Sequence, residues 1–209
     1  MTVLLNRRSV MAIYADPEDP IGHAVRIVLA EKDVTVEVNY VTEDSKPEDL
    51  NDLNPYQRIL TLIDRDLVLY DAQIMMEYLD ERYPHPPLMP VDPVSRANNR
   101  QIRYRIAQDL YELVPVLRGD DAKAADEARR VMRDHLLSFA PIFSASTYFL
   151  SEEFSLVDCC LLPLLWRLDH YGIKLPPATG RGIMKYAETL IRRDSFRASL
   201  SPFERKLKL

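Results

Sequence analysis

Cysteine and histidine are the reactive side chains in this 209-residue sequence, and both are few. The four histidines are His23, His85, His135 and His170. They are far apart in sequence and show no spacing typical of zinc ligands, so we expect no metal site. The two cysteines, Cys159 and Cys160, are adjacent within an apolar run. A disulfide between neighbours closes a small strained ring, so we favour buried core residues over a redox pair.

The net charge of −5 argues against nucleic acid as the main partner, because a phosphate backbone attracts basic surfaces. The charge is uneven, since residues 181–209 carry eight Lys or Arg against three Asp or Glu. The basic side chains of this tail include Arg192, Arg193, Arg197, Arg205, Lys206 and Lys208. No aromatic interleaving accompanies them, so we favour a solvated helix face and a frayed terminus over a DNA contact. Contact with an acidic protein surface fits the same charges.

No basic, apolar signal segment opens the sequence, and its longest apolar stretch, Leu161–Trp166, is too short to span a bilayer. We therefore expect a soluble cytoplasmic protein without a membrane partner.

The first third of the sequence alternates strand and helix patterns in the order β-α-β-(α)-β-β-α. Apolar residues at every second position, or short β-prone runs, predict strands. These are Ser9–Tyr14, Val34–Tyr40, Leu60–Asp64 and Asp66–Tyr70. Apolar residues three and four apart predict helices. These are Ile21–Lys32, Glu48–Leu53 and Ala72–Tyr83.

Prolines are densest between Pro84 and Pro93, and helical patterns alone follow. We expect helices over about 96–118, 121–140, 156–171 and 181–193. Ser155 and Asp158 have the spacing of a capping box at the start of the third of these, which is apolar nearly all round. The predicted domains are 8–84 and 95–205, joined by a proline-rich linker over 85–94.

This layout and several short strings resemble the glutathione S-transferase superfamily and, within it, the stringent starvation protein A family. The strings are His23–Lys32, Leu53–Pro55, Glu77–Arg82, Tyr83–Pro90, Phe149–Ser151, Phe154–Cys159, Leu164–Leu168 and Arg193–Phe196. The resemblance implies an α/β thioredoxin-like N-terminal domain followed by an all-α C-terminal domain. It also implies an RNA-polymerase-associated regulator without transferase activity, in a homodimer.

The same resemblance implies three positions that would bind glutathione, and all three are altered. Asp19 stands where some members have a thiolate-stabilising cysteine, and Asp19-Pro20 also fits a helix cap. Leu60, before Thr61, replaces a cis-proline, so we expect a trans Ile59–Leu60 bond. At the start of the next helix, Asp71-Ala72 replaces an acidic or amide residue followed by serine, and Asp71 fits an N-cap.

The changes at Leu60 and Ala72 depart even from the starvation-protein pattern. Tyr14 remains a candidate hydroxyl. We expect no cofactor and no catalytic residue.

Tyr83, Pro84, His85 and Pro86 form a stiff segment whose conformational entropy is already low. The residues alone favour an inter-domain linker, whereas the resemblance implies a surface that contacts polymerase. Asp92, nearby, replaces an aromatic residue common in related sequences. We therefore predict a non-catalytic starvation and stress regulator that binds RNA polymerase holoenzyme or its sigma factor by protein–protein contact. A glutathione-dependent transferase or reductase is the alternative.

Overall fold

The computed structural model describes residues 10–208, which form two compact units. The first unit comprises the described residues up to Pro86 together with Ala198–Arg205. The second comprises Pro87–Arg197 and the described residues after Arg205. The sequence assigned 198–205 to the helical domain, whereas the structure groups this segment with the first unit.

The first unit has the predicted order of strands and helices, with ends shifted by a few residues. Its elements are β1 (Met11–Ala15), α1 (Pro20–Glu31), β2 (Val36–Tyr40), α2 (Glu48–Leu53), β3 (Thr61–Asp64), β4 (Leu67–Leu69) and α3 (Ala72–Arg82). Ser9, predicted to begin the first strand, lies outside the described residues. Tyr14, the candidate hydroxyl, is buried in a cluster with Leu50 and Ile63.

The four strands form one mixed sheet in the order β2-β1-β3-β4. β1 and β2 are parallel, with Ala15 opposite Tyr40. β3 is antiparallel to both of its neighbours, with Thr61 opposite Tyr14 and Leu62 opposite Leu69. The carboxyl ends of β1, β2 and β4 therefore lie at the same edge as the start of β3. We call this the Ala15 edge of the sheet.

The second unit is built mainly of helices, several of them shorter than predicted. Its helices are α4 (Pro93–Asp109), α5 (Val114–Leu117), α6 (Ala122–Ser138), α7 (Ala140–Phe143), α8 (Leu156–Leu165), α9 (Pro177–Ile191) and α10 (Asp194–Ser199), the last of which continues into the first unit. The predicted helix over 96–118 ends at Asp109, and a 3₁₀ turn and α5 follow. Pro115 and Pro141 lie in the first turns of α5 and α7, because proline lacks an N–H and is tolerated there.

Helix α8 is buried along its whole length and begins with the predicted capping box. The Ser155 hydroxyl accepts from the Val157 amide at 3.2 Å, and Asp158 Oδ2 accepts from the Ser155 amide at 2.8 Å. Burial raises the pKa of the Asp158 carboxyl, and hydrogen bonds from Tyr186 and from backbone amides oppose that rise. Cys159 and Cys160 are buried and unbridged, which confirms that they are core residues.

No helix among residues 10–208 combines the length and apolar character needed to cross a membrane.

Candidate functional site

The Ala15 edge gathers the three positions that the sequence singled out for glutathione. Asp19 follows β1, Leu60 precedes β3, and Asp71 follows β4. Helices α1 and α3 both begin at this edge and run away from it. Strand pairing therefore brings Asp19, Leu60 and Asp71 to one end of the first unit, although more than fifty residues separate the first from the last.

Asp19 and Asp71 cap the helices that follow them, as predicted. Asp19 Oδ1 accepts from the Ile21 amide at 3.1 Å, and Pro20 occupies the first helical position. Asp71 Oδ1 accepts from the amides of Gln73 and Ile74 at 2.9 and 3.0 Å. Each carboxylate therefore satisfies amides at the positive end of its own helix.

Leu60, at the same edge, has a buried apolar side chain. A methyl group added at Gly22 would lie 3.7 Å from Leu60 Cδ1 and 3.2 Å from Ala15 Cβ, so α1 approaches this edge closely. The Ile59–Leu60 bond is trans, as predicted; within the described residues the cis bond is His85–Pro86. Thr61 is fully buried, and its hydroxyl makes no hydrogen bond.

These residues do not supply the groups that the resemblance implies for binding glutathione. The Asp71 carboxylate already binds the amides at the start of α3, and buried Ala72 has no hydroxyl to hold a second carboxylate. The Asp19 carboxylate lies where a thiolate would need positive charge, and like charges raise the pKa of a thiol. The groups at the Ala15 edge thus bind their own helices and differ from the donors that the resemblance implies.

The segment 198–205 adds a buried polar network to α1, which the sequence analysis missed. Arg26 donates to both carboxylate oxygens of Glu204 at 2.7 and 2.6 Å and to the Ser199 carbonyl at 3.0 Å. His23 lies 3.0 Å from the Ser199 hydroxyl and 3.3 Å from Glu204. The side chains of His23 and Glu204 are fully buried, so this part of the tail is an integral part of the first unit.

A local signal for this network is present in the sequence. Ser201 and Glu204 have capping-box spacing, and the Ser201 amide donates to Glu204 while the Glu204 amide donates to the Ser201 hydroxyl. The Ser201 hydroxyl also donates to the Pro17 carbonyl at 2.7 Å, next to the Ala15 edge. The prediction of a frayed, solvated terminus is therefore wrong for this segment, because two of its polar groups form each other's caps.

Arg193 corrects the same prediction within the second unit. Its guanidinium lies 4.1 Å from the centre of the Phe154 ring and 3.1 Å from the Tyr148 hydroxyl. Cation–π contact of this kind holds the side chain against the helical unit.

The Tyr83–Pro86 segment lies at the other end of the first unit, beyond the last turn of α3. Pro84, His85 and Pro86 are exposed, and Tyr83 is half-buried with the Arg82 guanidinium 5.7 Å from its ring centre. Beneath the segment, Lys32 Nζ donates to Asp80 Oδ1 at 2.6 Å and to the Pro86 carbonyl. The exposed segment is thus joined, through the Pro86 carbonyl, to the buried Lys32–Asp80 ion pair.

Asp92, the departure near the proline segment, caps α4. Its carboxylate accepts from the Ser95 amide at 2.9 Å. Hydrogen bonds from Ser95 hold the pKa of Asp92 below its usual value. An acidic residue at this position is therefore explained by the helix that it begins.

Comparison with known proteins supports the class that the fold and the altered edge indicate. Residues 19–87 match the glutathione S-transferase N-terminal domain, and residues 94–194 match the C-terminal domain. A glutathione S-transferase from Methylobacillus flagellatus, solved with glutathione bound, superposes with a TM-score of 0.80 at 23% identity, covering 91% of this chain and 99% of that one. The fold is that of the glutathione S-transferases.

Relatives named as stringent starvation protein A homologues align over nearly the whole chain. The homologue from Coxiella burnetii is 45% identical over 97% of both chains. The homologue from Pasteurella multocida is 49% identical over 96% of this chain and 94% of its own. The chain belongs to the stringent starvation protein A family, within the glutathione S-transferase-like proteins.

Proposed function

We propose that this protein is a non-catalytic transcription regulator of the starvation and stress response that binds RNA polymerase holoenzyme. Binding occurs by protein–protein contact through the Tyr83–Pro86 surface, in the cytoplasm. In a homodimer each copy presents one such surface, so polymerase meets two. The proposal includes no cofactor and no direct sequence-specific contact with nucleic acid.

The observation that carries the proposal is the contrast between a closed ligand edge and an exposed, stiff segment in the same unit. At the Ala15 edge Asp19 and Asp71 cap helices α1 and α3, and Leu60 contributes a buried apolar side chain. Thiol chemistry therefore lacks a stabilising group there. At the other end, His85 projects from a proline-bounded segment whose ordering on binding costs little entropy.

The overall charge supports contact with protein over contact with nucleic acid. The net charge is −5, and within the basic tail the Arg193 guanidinium lies against the Phe154 ring. A phosphate backbone would be repelled by most of this surface, whereas basic patches on a protein would be attracted.

Co-purification with RNA polymerase tests the proposal. Wild-type protein, His85→Ala and His170→Ala are each mixed with holoenzyme and passed through gel filtration. His170 is exposed and lies in the second unit, so its variant is the matched control. We expect wild type and His170→Ala to elute with polymerase and His85→Ala to be retained at least about tenfold more weakly, as for loss of a central contact residue. Failure of wild type to elute with polymerase would remove the proposal.

Glutathione titration of the same preparation tests the alternative enzyme. We expect no binding heat by calorimetry at micromolar glutathione and no turnover of an electrophilic dye. Micromolar binding or dye turnover would restore the transferase or reductase function and contradict the non-catalytic proposal.

A further inference from the structure

Two hydrogen bonds tie the backbone of the Tyr83–Pro86 segment to the first unit. The Tyr83 amide closes the last turn of α3 on the Leu79 carbonyl at 3.0 Å. Beyond it, Pro84 and Pro86 have no N–H to donate. Within residues 10–208, the backbone of 84–86 receives one hydrogen bond, from Lys32 Nζ to the Pro86 carbonyl. The conformation of the exposed residues therefore depends on where that ammonium lies.

Both the backbone amide and the side-chain ammonium of Lys32 are held by hydrogen bonds. It is the C-cap residue of α1, and its own amide donates to the carbonyls of Val28 and Ala30. The partial negative charge at a helix carboxyl end favours a cation there. Its side chain is completely buried, and its ammonium donates to Asp80 of α3 at 2.6 Å. The ammonium thus joins the end of α1, the last turns of α3 and the exposed segment.

Burying the charge of a lysine costs free energy of desolvation that packing alone does not require. Desolvation of both charges opposes folding, and an apolar pair of similar volume is often as stable. An apolar pair, however, offers no donor to a carbonyl. The feature that this ion pair provides and an apolar pair cannot is the hydrogen bond to Pro86.

We propose that Lys32 is a positioning residue, which holds Pro86 by its carbonyl and so fixes Tyr83 and His85 in the conformation that binds the partner. This inference rests on the proposed function of the Tyr83–Pro86 surface. Lys32 itself does not touch the partner, because its side chain is buried. It raises the fraction of molecules whose segment is already in the binding conformation, and apparent affinity scales with that fraction.

The double variant Lys32→Met/Asp80→Leu separates positioning from stability. Loss of Lys32 alone would leave the Asp80 carboxylate buried without its cation and risk unfolding. The double variant removes both charges and keeps an apolar fill, so the fold is retained while Pro86 loses its donor. Asp80→Asn is the matched control, because the Asn side-chain oxygen can still accept from Lys32 Nζ and the amine stays in reach of the Pro86 carbonyl; circular dichroism confirms that it folds before it is compared.

Two readouts are measured on each variant: affinity for RNA polymerase holoenzyme, and the NMR resonance of the His85 ring. For the double variant we expect about tenfold weaker binding, as for a segment that is competent a tenth of the time, together with a displaced His85 resonance. The resonance of buried His23, in α1 of the same unit, stays in place and reports an intact first unit, as the His135 and His170 resonances do for the second. Asp80→Asn keeps both the affinity and the His85 resonance of wild type.

The two readouts also distinguish the two proposals. If wild type does not bind polymerase, the proposed function fails, and the His85 resonance alone then decides whether Lys32 holds the segment. If the double variant keeps the wild-type His85 resonance, Lys32 does not position the segment, whatever the binding result. A displaced resonance with unchanged affinity would likewise overturn the proposal, since the held conformation would not matter to the partner.

Discussion

The two ends of the first unit use their polar side chains in opposite ways. At the Ala15 edge, Asp19 and Asp71 bind amides of their own helices, and Glu204 from the tail segment binds Arg26 of α1. At the other end, buried Lys32 donates to the carbonyl of an exposed proline, Pro86. Helix α1 has 12 residues, so about 18 Å of helix separates the two ends.

This difference, on the proposed function, places the glutathione positions in local contacts while the architecture stays that of the glutathione S-transferases. Strand order and register still bring Asp19, Leu60 and Asp71 to one edge, because the core determines the register. At each of these positions the residue present makes a local contact: Asp19 and Asp71 cap helices, and Leu60 has a buried apolar side chain. Helix caps and apolar contacts, which stabilise helices in any protein, thus occupy these positions.

Glu204→Ala should have the largest effect, because it removes the buried partner of Arg26 at the closed end. The variant leaves a buried guanidinium whose Nη1 already has no hydrogen-bond partner. We expect a loss of about 3–5 kcal/mol in the free energy of unfolding, the usual result of breaking a buried ion pair from one side. Urea unfolding followed by circular dichroism measures it.

Glu204→Gln is the control for that experiment. The amide oxygen can still accept from Arg26 and from the Ser201 amide, so this variant should lose less than Glu204→Ala. Equal stability of wild type and Glu204→Ala would mean that the tail segment does not close the Ala15 edge in solution.

The helix caps could be predicted from the sequence, whereas the long-range polar contacts of the first unit could not. The caps at Asp19, Asp71 and Ser155 involve neighbours in sequence, so spacing alone predicts them. The Arg26–Glu204 pair joins residues 178 positions apart, and nothing in either local pattern specifies the other. The same holds for Lys32 and Pro86, whose contact arises only when α1 and α3 are packed side by side.

Asp19→Ala should have a smaller effect, confined to the closed end. The Ile21 amide loses its acceptor, and we expect a loss of about 1 kcal/mol, as for other N-caps replaced by alanine. Ser155→Ala, which removes the cap of α8 in the second unit, should cost about as much. Thermal unfolding measures both. An unchanged melting temperature for Asp19→Ala would show that Asp19 is not needed as a cap.

Two tyrosines give the smallest and most local test, because one lies at each end of the first unit. Tyr40 ends β2 at the Ala15 edge, and burial raises the pKa of its phenol above 10.0, while the Arg26 guanidinium, 5.2 Å from its ring centre, opposes the rise. Burial, together with the 2.5 Å hydrogen bond to Asp64, raises the pKa of Tyr78 in α3.

A raised folded-state pKa means that the unfolded chain loses the proton first. The contribution of each tyrosine to stability is therefore complete below pH 10.0 and is lost as the pH rises through the folded-state pKa. Unfolding free energies of wild type, Tyr40→Phe and Tyr78→Phe are measured at intervals above pH 10.0. We expect a shallower decline in each variant, because phenylalanine has no proton to lose. If all three proteins lose stability with the same slope, folding raises the pKa of neither tyrosine. The contrast between the two ends of the unit would then not extend to these phenols.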